Sequence, residues 1–516
     1  MLPRVACLPM LMLAAVLFSV RAAEPPKEML LDHEVRLNPE GRLLPWAGYD
    51  HILRGSVEYL KHCPTVRTRH GEDPWYLVTS KLNPDGSFRR NQNNQGGNLW
   101  YAMETAARWR AYSGDQACLE PARLLLERVM SHHTPDDWAW PGVPRTQDNS
   151  PDGVYTDQTS EVDKICMAAA GYLRWHALTG DTEALAAAGR IAAVIAANAV
   201  GGDADHSPLP FRVNLKTGEV LDPYTSNIVA VVVFLDMARD MGLDADGRLA
   251  VLRDRCWEWV MAYPVQNHRW SGYFEDVDNN MENLNQFTPL ETARYMLAHP
   301  DREPRWRETV PELLRWVEER FGRERRHGAV SLCEQDCCMK EMSSHTARFA
   351  SVLAAWHRMT GDPEARGKAL DAFALSTYSA FSRHSKDGRA LNYVGVGYID
   401  PWFSDSYFDY IPHFLCGMAA LPEMAPAGEN RLLGSTGTVR RIEYGNDRVT
   451  YEAFEPEGTE VLRVRFTPQV LADGAPMDPA RWQHGTLRGA EGVLEIRRQG
   501  ERRIVVESAG VPAKTP

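Results

Sequence analysis

The sequence lacks a long apolar run except at its start, where residues 1–26 read MLPRVACLPMLMLAAVLFSVRAAEPP. No later segment reaches the roughly 18 uncharged apolar residues of a membrane-spanning helix, so no membrane span is expected. The start joins a basic residue, an apolar run and a small-residue exit, which is the pattern of a secretory signal peptide. We therefore predict a signal peptide over residues 1–22 and, after its cleavage, a secreted or periplasmic protein.

An excess of positive charge is also absent. The 516 residues include 69 acidic and 57 basic side chains, and the formal net charge is −12. Nucleic acids and anionic membranes bind to cationic surfaces. Neither is therefore expected as a partner.

Cysteine is scarce, with 9 residues in 516. A chain of this size with 44% hydrophobic residues can build a core that does not depend on disulfides. The cysteines on apolar helical faces are predicted to be free buried thiols: Cys118, Cys166, Cys256 and Cys416. The run CEQDCC, with Cys333, Cys337 and Cys338, lacks the paired spacing of a zinc site. A disulfide or free thiols are favoured there over zinc.

What the sequence does contain is an internal repeat with a period of about sixty residues. RWRAYSGD at 108–115 returns as RWHALTGD at 174–181 and as AWHRMTGD at 355–362, and looser copies cover 236–260 and 294–321. Each copy has apolar residues at helical spacing, a tight turn and a second helical run, which predicts a helical hairpin. The turn glycine can end one helix, and the next aspartate (Asp115, Asp181 or Asp362) can cap the other.

Five hairpins arise in this way, and the isolated helices near 49–62 and 409–421 supply a sixth that would close a ring. Turns within hairpins are short, whereas connections between hairpins far exceed the ~2–8 residues that usually join helices. All long connections should therefore lie at one end of the ring, the long-connection end, opposite a short-turn end. They cover roughly residues 64–97, 133–156, 201–222, 263–286, 322–342 and 379–408.

After about residue 428 the apolar pattern changes from helical spacing to alternation, as in VLRVRF and VLEIRRQGERRIVVES. Alternation predicts antiparallel strands, and the breaks at Gly445–Asp447 and Gln499–Gly500 are typical of hairpin turns. We predict a helical domain over residues 23–425 and a small β-sandwich-like domain over residues 426–516.

Six helical hairpins with long aromatic and acidic connections, a signal peptide and a C-terminal β module resemble the (α/α)6 toroid, or six-hairpin, carbohydrate-active enzymes. The resemblance covers most of the chain and implies a mainly α fold that acts on an oligo- or polysaccharide. It is a resemblance of architecture, so the site is argued from the residues themselves.

Aromatic and amide side chains are concentrated in the long connections. Sugar rings stack on aromatic faces, and sugar hydroxyls bind to amide and carboxylate groups. The predicted aromatic contacts are Trp138, Trp140, Trp270, Tyr273, Trp402 and Tyr407. Asn94 and Gln95 are the predicted hydroxyl readers.

Acidic residues in the same connections predict a glycoside hydrolase. Hydrolysis of a glycosidic bond uses two carboxyl groups, one protonated and one ionised. The predicted catalytic residues are Asp157, Glu275, Asp276 and Asp405. Helix capping is the alternative role for Asp157. No cofactor is required, although residues 276–282 alternate like calcium ligands, with Met281 where a calcium loop needs glycine.

A polysaccharide lyase or an epimerase acting on a uronic-acid-containing glycan is the alternative enzyme. It would use His or Tyr as a base, and Asn, Arg or His to neutralise the sugar carboxylate. His345, Tyr155, Tyr407 and Asn94 suit these roles. The surplus of acids favours hydrolysis. A non-catalytic carbohydrate-binding protein is a third interpretation, which the number of carboxylates beside the aromatic residues disfavours.

Overall fold

A computed structural model of the chain describes residues 28–61, 65–68, 71–74, 95–146, 158–274, 281–324, 326–380 and 404–510. Within these residues, the helices of twelve or more residues are α1 (Tyr49–Lys61), α2 (Gln95–Ser113), α3 (Leu119–Met130), α4 (Val162–Thr179), α5 (Thr182–Asn198), α6 (Ile228–Asp240), α7 (Arg248–Ala262), α8 (Phe287–Ala298), α9 (Trp306–Phe321), α10 (Ser343–Thr360), α11 (Pro363–Thr377) and α12 (Ser404–Ala420). The predicted signal peptide lies outside the described residues.

The helices form a closed double ring. The even-numbered helices contact one another in the order α2, α4, α6, α8, α10 and α12, and α12 contacts α2 again. Each odd-numbered helix from α3 to α11 packs against the helix that precedes it, and α1 packs against α12. The five hairpins and the pairing of first helix with last are therefore confirmed, and the fold is an (α/α)6 barrel with even-numbered inner helices.

The tight turns show why the repeated letters form hairpins. Gly180 and Gly361 have φ of 84° and 79°, the left-handed region that favours glycine. Asp181 accepts hydrogen bonds from the first backbone N–H groups of α5, and Asp362 does the same for α11. The capping prediction was wrong for Asp115, because α3 begins only at Leu119 and Cys118 precedes it without a side-chain cap.

Short strands tie the N-terminal segment and the long connections together. The N-terminal strands are β1 (Met29–Leu30), β2 (His33–Glu34), β3 (Arg36–Leu37) and β4 (Leu43–Leu44); the connections contain β5 (Thr65–Thr68), β6 (Gly71–Pro74), β7 (Thr159–Glu161), β8 (Arg212–Asn214), β9 (Val220–Asp222), β10 (Gly322–Glu324), β11 (Val330–Gln335) and β12 (Cys338–Met342). β7 pairs with β8, and Asn285 bridges to Gln335, so neighbouring long connections meet at one end of the barrel.

The C-terminal β region (residues 431–508) contains two antiparallel sheets. Its strands are β13 (Arg431–Ser435), β14 (Val439–Tyr444), β15 (Arg448–Ala453), β16 (Glu457–Arg463), β17 (Pro468–Ala472), β18 (Ala475–Pro476), β19 (Trp482–Leu487), β20 (Ala490–Gln499) and β21 (Arg503–Ser508). The sheet orders are β13-β16-β20-β19 and β14-β15-β21-β17-β18. Side chains of both sheets share one hydrophobic cluster. The domain boundaries given above stay a prediction.

One of the two predicted hairpin turns in the β region was wrong. Gly445–Asp447 does join the paired strands β14 and β15. Gln499–Gly500 instead joins β20 to β21, which belong to different sheets. Alternation marks both strands but does not identify their partners, so a crossing between sheets looks like a hairpin in the sequence.

The β region docks on the short-turn end of the barrel. Arg174 near the end of α4 donates to Thr438 Oγ1 at 2.6 Å, and Arg440 donates to the carbonyl of Ala177 at 2.7 Å. The Tyr444 hydroxyl donates to the carbonyl of Ala111 near the end of α2. The long-connection end is therefore the end that the β region leaves uncovered. No helix in the described part of the chain has the length and apolar character needed to cross a membrane.

The cysteines of the described residues are free. The prediction of buried thiols is confirmed for Cys118, Cys166 and Cys256, whereas Cys416 is half-buried. Within the described ranges no three side chains of His, Cys, Asp or Glu could hold a metal ion together, so Cys333, Cys337 and Cys338 form no zinc site there.

Candidate active site in the barrel cavity

The barrel encloses a cavity of about 430 Å³. All six inner helices contribute side chains to its wall. Tyr101 and Phe287 lie towards the long-connection end, whereas Asp240 and His299 lie at the last turns of α6 and α8. Residues of the β region complete the wall at the short-turn end. The cavity therefore spans the barrel, and its chemistry depends on the inner faces of these helices.

Glu291 of α8 is an ionised carboxylate in this wall. It accepts hydrogen bonds from Arg294 Nε at 3.2 Å and from Arg348 Nη1 at 2.5 Å. Burial opposes its ionisation, but the two guanidinium groups outweigh that effect and lower its pKa. Arg348 is only 1% exposed, and its guanidinium lies 4.1 Å from the centre of the Phe287 ring. Glu291 thus holds two arginines in place and is a poor proton donor.

Glu104 of α2 repeats this arrangement. Arg108 Nη2 lies 3.1 Å from its carboxylate, and Arg174 Nε lies 2.8 Å from it. Burial again opposes ionisation, while Arg174 and Arg108 together lower the pKa. Because Arg174 also binds Thr438, this carboxylate connects the cavity wall to the docked β region.

His413 of α12 lines the cavity and is 6% exposed. Its Nδ1 lies 3.1 Å from Ser351 Oγ and 3.3 Å from Arg294 Nη2, and its Nε2 has no hydrogen-bond partner in the described structure. Burial, followed by Arg348, Arg294 and Arg108, lowers its pKa well below the ordinary value. The Ser351 hydroxyl donates to the Arg348 carbonyl and accepts from Arg294 Nη2 at 2.9 Å, and its second lone pair can accept Nδ1–H. In that tautomer Arg294 Nη2 bonds to Ser351 and only approaches Nδ1, and the lone pair of the imidazole lies on Nε2.

His345, a predicted substrate contact, is a second buried imidazole. It lies in the first turn of α10 and is 3% exposed. Neither ring nitrogen has a hydrogen-bond partner in the structure described. Burial and then Arg348 lower its pKa well below the usual value, and His345 in turn lowers the pKa of His413. The two imidazoles are therefore neutral near pH 7 and close enough to interact.

Buried amide oxygens without partners occur at the same end of the barrel. Gln95 is the first residue of α2, and Asn227 and Gln286 immediately precede α6 and α8. They are 4%, 1% and 0% exposed, and in the described structure no donor reaches their side-chain oxygens. A buried acceptor without a donor costs about 1–3 kcal/mol. We call these three residues and His345 the unpartnered set, and of its members Asn227 lines the cavity.

The predicted aromatic contacts that the structure describes lie mainly in the core. Trp140, Trp270 and Tyr273 are 2%, 0% and 6% exposed. Tyr273 stacks on Phe287 with ring centres 4.1 Å apart. Trp138 is half-buried beneath the Arg145 guanidinium, and 5.2 Å separates that group from the ring centre. These rings anchor the long connections to the barrel, and their contact with a sugar stays a prediction.

The remaining predicted site residues lie outside what the structure describes. Asn94, Tyr155, Asp157, Glu275, Asp276 and Trp402 fall outside the described ranges, as does most of the calcium-like stretch. For Asp405 and Tyr407 the backbone alone is described, in the first turn of α12. That turn belongs to the long-connection end. Gln95 and His345 are thus the predicted contacts that join the cluster of unpartnered groups.

Sequence reasoning missed the charged residues of the inner helix faces. A signal was present, because Trp100, Glu104 and Arg108 recur every four residues and therefore share one face of α2. Glu291 and Arg294 are similarly three residues apart. A polar face on an amphipathic helix usually points to solvent, and only the closed ring shows that these faces point into a cavity.

Comparison with known proteins identifies the fold. No protein-family profile and no curated protein matches this sequence. Among solved structures, cellobiose 2-epimerase from Spirochaeta thermophila DSM 6192 is 13% identical with a TM-score of 0.51, and the match covers 72% of this chain and 94% of that one. A D-mannose isomerase is 11% identical with a TM-score of 0.51, covering 70% and 96%. An unsaturated glucuronyl hydrolase specific for heparin is 12% identical with a TM-score of 0.48, covering 72% and 98%. These structural neighbours are (α/α)6 toroid carbohydrate-active enzymes, and this chain shares their barrel fold.

Proposed function

We propose that the protein is a carbohydrate-active enzyme that removes a proton from a carbon of a sugar bound in the barrel cavity, as a lyase or an epimerase does. His413 carries the proposal, because it is a buried, neutral imidazole that lines the cavity with Nε2 unpartnered. His345 provides a second neutral imidazole nearby. After His413 has taken the proton, its imidazolium can return a proton as the acid.

The proposed chemistry begins with a C–H bond next to a carbonyl or carboxylate group of the sugar. His413 Nε2 takes the proton, and the electron pair of the C–H bond moves towards that group. Arg294 and Arg348 stabilise the negative charge that develops there. In a lyase the electron pair then forms a carbon–carbon double bond as the glycosidic oxygen leaves and is protonated. In an epimerase the carbon regains a proton on its opposite face.

The unpartnered set supports a hydroxyl-rich ligand for this chemistry. Gln95, Asn227 and Gln286 each present a buried amide oxygen that needs a donor, and Asn227 also lines the cavity. Sugar hydroxyls can donate to such oxygens. Binding in the cavity would therefore give the Asn227 oxygen the hydrogen bond that it lacks.

A glycoside hydrolase is the second candidate, and the position of Asp405 favours it. Asp405 is the second residue of α12, the helix that also carries His413. Hydrolysis needs one protonated carboxyl group, whereas the cavity carboxylates Glu104 and Glu291 have lowered pKa values. Asp405 or another of the predicted long-connection acids would have to provide the proton.

We also propose that the protein is exported, because its N-terminal sequence has the pattern of a signal peptide.

The product distinguishes these classes. The purified protein is incubated with a panel of neutral and acidic oligo- and polysaccharides in D2O. Elimination gives an unsaturated sugar that absorbs in the ultraviolet, and epimerisation places deuterium on a sugar carbon, which NMR detects. We expect one of these two products. New reducing ends without either signal would favour the hydrolase, and binding without any product would favour a carbohydrate-binding protein.

Two histidine variants test the role of His413. His413→Gln should lower kcat by about 100-fold or more, the usual contribution of a general base, without changing the far-ultraviolet circular dichroism. His206→Gln is the matched control, because the His206 side chain is 58% exposed and its partner among the described residues is Asp203, three positions earlier. Asp405→Asn should keep most of the activity. Loss of activity in Asp405→Asn with full activity in His413→Gln would replace the proton-abstraction mechanism by hydrolysis.

A further inference from the structure

The middle of the cavity wall carries an excess of positive charge. Two carboxylates there each lie between two arginines: Glu104 between Arg108 and Arg174, and Glu291 between Arg294 and Arg348. We call these four guanidinium groups the arginine set. Four positive groups less two negative groups leave an excess of two charges, in a chain whose net charge is −12.

Two members of the arginine set have N–H donors that form no hydrogen bond within the described residues. Among the described residues, Arg108 forms its hydrogen bond and ion pair with Glu104, and its side chain is 37% exposed and lines the cavity. Arg294 uses Nε for Glu291 and Nη2 for Ser351. Within the described residues, Nη1 of Arg108 and Nη1 of Arg294 have no hydrogen-bond partner. Both groups remain available to an acceptor.

The cavity end near the last turn of α6 has acids and arginines together. Asp240 is exposed there, and Asp236 pairs with Arg239, Arg253 and Arg302. Glu455 of the β region lines the same end. The acids at this end thus have arginines beside them, whereas the arginine set in the middle has more positive than negative groups. An anionic group would therefore be held by the arginine set.

We propose that the sugar bound in this cavity carries an oxyanion, a carboxylate or a sulfate, and that this group lies between Arg108 and Arg294 beside His413. The inference rests on the proposed function for the sugar and adds its charge. Guanidinium groups donate paired N–H bonds to such oxyanions. The bound anion would balance the excess positive charge, which burial otherwise makes costly.

An anion at this position also changes the basicity of the His413 imidazole. Burial, followed by Arg348, Arg294 and Arg108, lowers the pKa of His413. An oxyanion beside them offsets their field, so His413 becomes a stronger base only when the charged sugar is bound. A neutral sugar would leave the imidazole weakly basic.

Cys416 provides a reporter inside the same cavity. It lies three residues after His413 on α12, lines the wall and is half-buried. The full-length protein is treated with two thiol reagents of similar size, the anionic 2-sulfonatoethyl and the cationic 2-trimethylammonioethyl methanethiosulfonate. Peptide mass spectrometry gives the modification rate of Cys416, and the exposed Cys337 serves as reference within the same molecule. We expect the anionic reagent to be favoured at Cys416 by about tenfold relative to Cys337, as an attractive charged cleft predicts.

Protection of Cys416 by added sugars then tests whether the cavity prefers a charged sugar. Glucuronate and glucose 6-sulfate should each slow the modification of Cys416 at lower concentration than glucose does, and their order shows whether carboxylate or sulfate fits better. Equal rates for the two reagents, protection by glucose at the same concentration, or no protection by either anion would overturn the proposal.

Matched variants connect the effect to the arginine set. Arg108→Gln should reduce the preference for the anionic reagent, whereas Arg108→Lys should retain most of it. The comparison of reagents on the unaltered protein needs no variant, so misfolding of either one leaves the test intact. Labelling also needs no turnover: an anion preference combined with full activity of His413→Gln would refute the proposed mechanism while the oxyanion site stands.

Discussion

The two ends of the barrel use the same helices but differ in how their buried polar groups are satisfied. At the short-turn end, two turns repeat the same bonds, whereas the third copy has Arg110 in place of the histidine, with a buried Nε that has no partner in the described structure. Trp175 Nε1 donates to the Asp181 side chain at 3.1 Å, and the corresponding pair Trp356 and Asp362 lies at 3.0 Å. The histidine after each tryptophan pairs with the carbonyl of the same aspartate, at 2.8 Å and 2.7 Å. The repeated residues therefore make the same hydrogen bonds in both turns.

The long-connection end contrasts with this pattern. Gln95, Asn227, Gln286 and His345 are all buried there, and each has a polar side-chain atom without a partner in the described structure. Leaving such groups unsatisfied is unfavourable for folding, and active sites are where proteins tolerate that cost. The difference between the ends therefore separates the structural part of the repeat from the part suited to a ligand.

The largest effect on stability should follow from removing a carboxylate that pairs with two arginines of the arginine set. Glu291→Gln removes the carboxylate that both Arg294 and Arg348 contact. Loss of one partner of a buried ion pair costs about 3–5 kcal/mol, to be measured as the free energy of unfolding in urea. Glu312→Gln is the control, because Glu312 is 49% exposed. A loss below 1 kcal/mol for Glu291→Gln, on the scale of a surface ion pair, would show that the arginines do not need this carboxylate.

Acid should weaken the long-connection end through His133. Burial and then Arg190 lower its pKa to about 4, below the ordinary value of 6.5, and Tyr172 lies 2.7 Å from its Nε2. Between these two pKa values the unfolded chain binds a proton that the folded chain does not. Stability is therefore complete above pH 6.5 and falls as the pH drops towards 4.

The loss that this group contributes reaches up to about 3 kcal/mol. Urea unfolding at pH 7 and pH 4.5 measures it, and His133→Gln should narrow the difference between the two conditions. A variant with the same pH dependence as the unaltered protein would assign the acid sensitivity to other groups.

At the short-turn end, removing the two observed caps should cost less. Asp181→Ala and Asp362→Ala each delete a helix cap and the partner of a tryptophan N–H, a loss of about 1–2 kcal/mol. Asp115→Ala changes the same letter of the repeat, but Asp115 caps no helix and forms a partly exposed ion pair with Lys61. It should cost about 0–1 kcal/mol. Equal losses of unfolding free energy for the three variants would mean that stability depends on aspartate at this position of the repeat and not on the observed caps.

The smallest change should have the opposite sign. Gln95→Met replaces a buried amide oxygen that has no donor by an apolar group of similar length. Thermal unfolding should show a gain of about 1 kcal/mol, accompanied by weaker sugar binding. Gln469→Met on the exposed side of β17 is the control. A destabilised Gln95→Met protein would indicate that the amide is satisfied and that the contrast between the two ends is smaller than proposed.

The sequence predicted the parts of the fold that depend on local chemistry. Helical spacing, the glycine turns and the Asp181 and Asp362 caps are short-range features, and together they gave the hairpins and the closed ring. The capping prediction was wrong at Asp115 because the start of α3 depends on packing that the neighbouring residues in the sequence do not show. The hairpin prediction was wrong at Gln499–Gly500 because the partner of a strand is a long-range property.

The candidate site was less predictable for the same reason. Glu291 and Arg348 are 57 residues apart in sequence, and Arg294 and His413 are 119 apart, yet both pairs are in contact. The search for acids in the long connections identified neither pair. Gln95 and His345 were selected for their residue type, and their significance here comes from burial without partners, which only the structure shows.

A crystal structure of the protein with a bound acidic disaccharide would be the decisive test of the proposed site. We expect a sugar ring in the barrel cavity, with a carbon within about 3.5 Å of His413 Nε2, as near-attack geometry requires, and hydroxyls donating to the amide oxygens of Gln95, Asn227 or Gln286. A sugar bound on the β region or on the outer helices, with His413 and the unpartnered set untouched, would contradict it.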